Sequence, residues 1–124
     1  MGSEWYVLIE TQEAFGEEHW HLRDKIHVEG GREQALARAE ELCFSYLQQH
    51  RPLDEHGHAV YRTSDTSWLV EVSREVWHAG WERPSTCTSY ARLTVAELVA
   101  VKETPPATRK TPKKGLLRRA LGGD

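Results

Sequence analysis

The sequence predicts an α+β fold: a single two-layer domain in which one long helix covers one face of a largely antiparallel sheet, followed by a flexible C-terminal tail. Five segments carry the alternating pattern of strands, one carries the spacing of a helix, and the last stretch differs in charge and proline content. A chain of 124 residues has room for one core. The predicted order, β-β-α-β-β-β, matches a β-grasp-like arrangement and other two-layer α+β sandwiches.

Two segments near the start alternate apolar and polar residues, as half-buried strands do. The first, residues 4–12, places Trp5, Val7 and Ile9 on one face. The second, residues 19–28, has an apolar face with Trp20, Leu22, Ile26 and Val28 and a polar face with His19, His21, Arg23, Lys25 and His27. We expect the two segments to pair as a hairpin with one buried and one solvated face.

Residues 32–50 follow the spacing of an amphipathic helix. The residues that share its apolar face are Ala35, Leu36, Ala39, Leu42, Cys43, Tyr46 and Leu47. Gly30 and Gly31 interrupt the preceding strand, and Pro52 follows the predicted end. We therefore expect one long helix to cross the sheet.

A second hairpin is predicted from residues 59–63 and 68–73, which flank the turn sequence SDTS. The apolar face of its second strand holds Trp68, Val70 and Val72. The next segment, residues 74–87, keeps neither period, which indicates a strand extension followed by a loop that ends near Pro84.

Residues 88–95 predict the last strand. Its end is open to two interpretations, because the residues TVAE at 94–97 match a capping box. Residues 96–101 would then begin a short helix instead of continuing the strand.

Charge and proline content divide the chain at the same place. Residues 1–103 carry 10 Lys and Arg against 18 Asp and Glu, a net charge of −8. Residues 104–124 carry six cations against Asp124, a net charge of +5, and contain three prolines within eight residues. We therefore predict a globular α+β domain over residues 1–103, and a Pro-containing linker with a basic amphipathic tail over residues 104–124.

Seven histidines raise the question of a metal site. His19 and His21 lie at i and i+2 of a predicted strand, about 6.5–7 Å apart on one face, and are weak candidates for zinc ligands. Arg23 and Lys25 share that face and would repel a dication, so we favour a solvated polar face and predict no metal site and no cofactor. Together with His27, the two histidines would also gain charge below about pH 6.5, as a pH-tuned binding surface would.

Five tryptophans fall into two groups. The group predicted to lie in the core is Trp5, Trp20 and Trp68. Trp77 and Trp81 lie with His78 and Arg83 in the least regular stretch of the sequence. There the two indoles either pack beneath a long hairpin, which we favour, or form an exposed recognition patch.

Motifs of catalysis are absent from the sequence: it has no nucleophile elbow, Walker A loop, dinucleotide glycine turn, H-E-x-x-H or C-x-x-C. Cys43 lies on the apolar helix face and is predicted to be inert, whereas Cys87 is predicted to be the exposed thiol. We therefore expect a non-catalytic protein. The acidic start lacks a secretion signal and no apolar run reaches the length of a membrane span, so we expect a cytoplasmic location.

The basic tail carries the main functional prediction. Its candidate partner-binding residues are Lys113, Lys114, Leu116, Leu117, Arg118, Arg119 and Leu121. So short a segment is expected to form a helix only on a partner, where its leucines would fill a groove. We predict a protein-interaction or adaptor module that presents this docking peptide. The alternatives are binding of nucleic acid or an anionic membrane through the tail, or of a small molecule by the domain, and the oligomeric state is left open.

Overall fold

Two hairpins flank one long final strand in the computed structural model, which describes residues 2–12, 19–47 and 56–109. The elements are β1 (Glu4–Gln12), β2 (His21–Val28), α1 (Arg32–Ser45), β3 (Gly57–Ser64), β4 (Ser67–Val76) and β5 (Ser85–Leu98). Neighbouring strands are antiparallel throughout, in the order β2-β1-β5-β4-β3. The predicted two-layer α+β fold is confirmed, with β5 at the centre of the sheet and α1 packed on one face.

The end of β5 resolves the alternative that the sequence left open. β5 continues to Leu98, which lies opposite Glu4 of β1, so the residues TVAE lie inside the strand and begin no helix. Residues 99–109 follow without regular secondary structure and are exposed. β5 is therefore long enough to pair with both hairpins, through β1 on one side and β4 on the other.

Helix α1 begins where the two glycines predict. Gly30 has a φ of +107°, a conformation that favours glycine, and Gly31 is the N-cap. The Gly31 N–H donates a hydrogen bond to the Gln34 side-chain oxygen at 2.8 Å, which satisfies one of the backbone donors at the helix start. At its other end the helix stops at Ser45, before the predicted end, and residues 48–50 lie outside the described ranges.

The core lies between α1 and the sheet face that it covers, which we call the inner face. Its buried apolar residues are Val7, Ile9, Trp68, Val70, Val72, Ala91, Leu93 and Val95 from the sheet, and Ala35, Ala39, Leu42 and Cys43 from the helix. The sheet residues are alternate positions of β1, β4 and β5, as the period-2 pattern predicts. Trp68 is buried as predicted, and Trp5 packs against the core while partly exposed.

Strand β2 departs from the predicted alternation at Arg23. Ile9 of β1 pairs with Asp24, but the next residue, Glu10, pairs with Leu22, so Arg23 is an extra residue in a β-bulge. Because directly paired residues share a face, Leu22 lies with Glu10 on the outer face, opposite α1, and is 54% exposed. The prediction that Leu22 faces the core is therefore wrong.

Candidate functional site

A tight turn shapes the β4–β5 loop, residues 77–84, which contains the patch predicted from the sequence. The Trp81 N–H donates a hydrogen bond to the His78 carbonyl oxygen at 3.1 Å, and Gly80 between them has a φ of +86°. A positive φ at the third position of such a turn is typical of type II, which glycine adopts without steric cost. The turn brings the rings of His78 and Trp81 together, with centroids 4.3 Å apart.

Both tryptophans of this loop are exposed, Trp77 to 64% and Trp81 to 51%. His78 and Arg83 are exposed as well. The interpretation that we favoured from the sequence, packing beneath the hairpin, is therefore wrong. The four predicted residues stand on one solvent-facing loop, which we call the tryptophan loop. Exposed indoles are typical of interaction sites, because each offers a large apolar area together with an N–H donor.

The outer face of the sheet is a second candidate surface, which the described helix and strands leave uncovered. Cross-strand pairing arranges its side chains in rows. The central row is Leu22, Glu10, Arg92, Leu69 and Tyr61; the rows on one side are Lys25, Leu8, Thr94 and Ser67, then His27, Tyr6 and Ala96; the row on the other side is Gln12, Tyr90, Glu71 and Ala59. Every strand therefore contributes a leucine or a tyrosine to this face.

An ionic and aromatic cluster lies at the centre of the outer face. The Arg92 Nε–H donates a hydrogen bond to Glu10 Oε1 at 3.1 Å, across the pairing of β1 with β5. The Arg92 guanidinium also lies over the Trp20 indole, 4.4 Å from the ring centroid, in a cation–π contact. Trp20 thus lies on the outer face with Arg92, and its predicted place in the core is wrong because the bulge at Arg23 reverses the alternation.

Tyr90 and Glu71 face each other beside this cluster, on β5 and β4. The pKa of Tyr90 is raised, first by desolvation and then by the negative charge of Glu71, whose carboxylate accepts a hydrogen bond from the tyrosine hydroxyl. Tyr61 on the edge strand β3 adds a further ring to the same face. The outer face therefore combines apolar rings with polar groups that pair across strands.

The bulge also separates the histidines that the sequence placed on one face. His27 lies on the outer face, where its Nε2 pairs with the Glu4 carboxylate. His21 pairs with the buried Thr11 and so belongs to the inner side, while His19 precedes β2. In the described ranges, no group of three His, Cys, Asp or Glu side chains is placed to hold a metal ion.

The thiol of Cys43 is a buried part of the core. Burial, and secondarily the charge of Glu40, raises its pKa to about 11, so the thiol is protonated at neutral pH and is not an activated nucleophile. The Cys43 carbonyl oxygen accepts a hydrogen bond from His58 Nε2 at 3.0 Å, which ties the end of α1 to β3. Cys87 is half-buried on β5, opposite Arg74, and is the more exposed of the two thiols, as predicted.

An open depression of about 540 Å³ lies across β3, β4 and β5. Its lining residues are Gly57, Ser73, Arg74, Glu75 and Thr86. Small-molecule sites are usually enclosed and mostly apolar, whereas this lining is polar and open to solvent. The depression therefore gives little support to the small-molecule alternative.

The predicted tail site lies outside the described residues, which end at Arg109. Its residues are Lys113, Lys114, Leu116, Leu117, Arg118, Arg119 and Leu121. Among the helices that the structure describes, none combines the length and the apolar character needed to cross a membrane.

No family model, no curated protein and no solved structure matches the chain. The structure defines the protein by its architecture, a two-layer α+β domain in which the described helix packs on one face of the sheet. Its function is inferred from its own residues.

Proposed function

We propose that this chain is a non-catalytic protein-interaction module that acts in the cytoplasm and binds a protein partner through the tryptophan loop and the basic C-terminal tail. The observation that carries the proposal is the solvent exposure of Trp77 and Trp81 on a loop shaped by the turn at Gly80. The free cysteines Cys43 and Cys87 are consistent with a reducing compartment.

The tryptophan loop has the composition of a binding anchor. Tryptophan and arginine are over-represented among the few residues that carry most of the energy of protein interfaces, and this loop presents Trp77, Trp81 and Arg83 together. The turn and the tilted ring contact between His78 and Trp81 order part of the loop before binding. Less conformational entropy is then lost when a partner binds.

The tail would add charge and further apolar contacts. Its six cations would accelerate association with an acidic partner surface, and Leu116, Leu117 and Leu121 would enter an apolar groove. Residues 99–109, exposed and without regular secondary structure, connect β5 to this segment. The tail and the loop therefore act as two separate contacts of one module.

Quantitative co-purification with cross-linking tests the proposal on four versions of the protein: the full chain, the Trp77→Ala/Trp81→Ala double variant, a chain ending at Arg109, and Phe44→Ala. Phe44 is a matched control because it is an exposed aromatic residue on α1, outside both elements. We expect one discrete protein to bind the full chain and Phe44→Ala, and to bind the other two versions at least about tenfold more weakly. Identical recovery of that protein by all four versions would contradict the proposal.

Salt and lipid experiments address the alternatives for the tail. Binding to duplex DNA that falls steeply between about 50 and 200 mM salt would indicate a nucleic-acid function. Flotation of the full chain with anionic vesicles, lost in the chain ending at Arg109, would indicate a membrane function. Either result without a protein partner would replace the proposal.

A further inference from the structure

Leucine and tyrosine side chains from all five strands meet on the outer face. Leu8, Leu69 and Tyr90 are half-buried there, and Leu22 and Tyr61 are each 54% exposed. The solvent-exposed face of an antiparallel sheet usually carries polar side chains. Large apolar groups on every strand of one sheet face, around a central ion pair, are typical of a surface that another protein covers.

The charges in the four rows of this face balance. Glu10 and Glu71 oppose Lys25 and Arg92, and the Glu4 carboxylate at the edge of the face is paired with His27. Arg92 is already paired with Glu10, and Glu71 accepts the hydrogen bond of Tyr90. The basic tail, with a net charge of +5, would be attracted to an acidic surface rather than to a face whose charges balance. A balanced face can contact an identical face without net like-charge repulsion.

The size of the face also suits a second copy. The 16 side chains of the four rows, each in a cell of about 4.8 Å by 6.7 Å, give a surface of roughly 500 Å². Two such surfaces in contact would bury about 1,000 Å², a size typical of weak or transient protein interfaces. An interface of this size is expected to form a dimer of modest affinity.

We infer that the outer face is a homodimer interface, in which two copies of the chain pack sheet against sheet with both α1 helices on the outside. The sheets would lie about 10 Å apart, and the cluster of Trp20, Arg92 and Glu10 would leave solvent in both copies. The inference does not depend on the proposed function. If both hold, the dimer presents two tryptophan loops and two tails, so that a repeated partner is bound with avidity.

Sedimentation velocity of the full chain at about 1 to 100 µM tests the inference. We expect the mass to rise from 14.2 kDa toward twice that value as the concentration increases. Leu69→Glu at the centre and Tyr61→Glu at the edge place a new carboxylate in the interface, and each should weaken dimerisation at least about tenfold. Val101→Glu is the matched control, because it adds the same charge at an exposed residue beyond the sheet and should leave the dimer unchanged.

The inference would be overturned by a full chain that stays monomeric at about 100 µM, or by a dimer that survives both Leu69→Glu and Tyr61→Glu. Circular dichroism and urea unfolding establish that each variant folds. Tyr61 is exposed on an edge strand, so Tyr61→Glu is expected to fold and tests the inference even if Leu69→Glu does not fold. The chain ending at Arg109 should dimerise like the full chain. Dimerisation that occurs only after this truncation would show that the tail occupies the face, and would also overturn the inference.

Discussion

The two faces of one sheet share the same alternating pattern but are shielded from water by different means. On the inner face a helix covers aliphatic side chains, and Val7, Ile9 and Leu93 are completely buried. On the outer face, polar and aromatic groups of neighbouring strands shield one another, as Arg92 does with Glu10. An alternating sequence pattern therefore does not by itself determine how well a sheet face is shielded from water. The covered face should dominate the stability of the fold, because the side chains of the outer face bury less apolar surface.

Removing one leucine from each face tests this contrast most strongly. Leu93→Ala should lower the free energy of unfolding by about 2–5 kcal/mol, because it leaves a cavity in the covered core. Leu69→Ala, the matched change on the outer face, should cost less than about 1.5 kcal/mol because the residue is only half-buried. Urea unfolding at low protein concentration measures both values. Equal losses would contradict the contrast.

Substitution of the glycines that precede α1 should give the next largest effect on stability. Gly30 has a positive φ, and a Cβ atom there would lie 2.8 Å from Gln34 Cγ. Gly30→Ala should therefore destabilise the fold by about 2 kcal/mol. Gly31→Ala is the control, since its Cβ would lie 3.6 Å from the nearest atom, and it should cost less than about 1 kcal/mol. Similar thermal unfolding of the two variants would show that α1 does not depend on this backbone conformation.

Alkaline pH should lower the stability of the fold through the packing of α1 on the inner face, because two groups of the α1 segment have raised pKa values. Burial first raises the pKa of Cys43 to about 11, and burial together with a 2.6 Å hydrogen bond to Asp24 raises that of Tyr46 to about 12. In the unfolded chain these groups ionise near 9 and 10, so the folded chain holds its protons to higher pH. Their contribution to stability is complete below about pH 9 and is lost as the pH rises through 11 and 12.

Urea midpoints at about pH 8 and pH 11 measure this loss. Cys43→Ala should remove the part of the decline that begins near pH 9, and Tyr46→Phe the part that begins near pH 10. Both variants should also be less stable than the natural chain at pH 8, because each removes a native contact. If stability declines as steeply with pH in both variants as in the natural chain, the alkaline sensitivity belongs to other groups.

The ion pair of the outer face should give the smallest effect. Arg92 and Glu10 are 42% and 33% exposed, so a double-mutant cycle with Arg92→Gln and Glu10→Gln should give a coupling energy of about 0.5–1 kcal/mol. Arg92→Gln should also change tryptophan fluorescence, because it removes the contact with Trp20. A coupling above about 2 kcal/mol would mean that the outer face is as dry as the inner one.

The fold could be predicted largely because the inner positions of β1, β4 and β5 are apolar at every second residue. The helix position followed from its spacing and from the glycines before it. The bulge at Arg23 could not be predicted, because it depends on how β2 pairs with β1. Asp24 interrupts the apolar alternation, but it lies opposite Ile9 on the inner side, where the alternation places it, and so does not indicate the bulge.

The candidate surfaces could be predicted only in part. The sequence located Trp77 and Trp81 but not their exposure, because the loop has no period that assigns a side chain to a face. The cluster of Glu10, Arg92 and Trp20 was missed, since its hydrogen bond joins residues 82 positions apart. Such a contact follows from strand register, which a local pattern does not contain.

β5 is the last strand of the described residues and the middle strand of the sheet. During synthesis, at about 5–20 residues per second, both hairpins and the helix leave the ribosome before the strand that joins them. A nascent chain that stops before Ser85 therefore has two separate halves, each with an open edge. The pairing of Leu98 with Glu4 joins segments made several seconds apart.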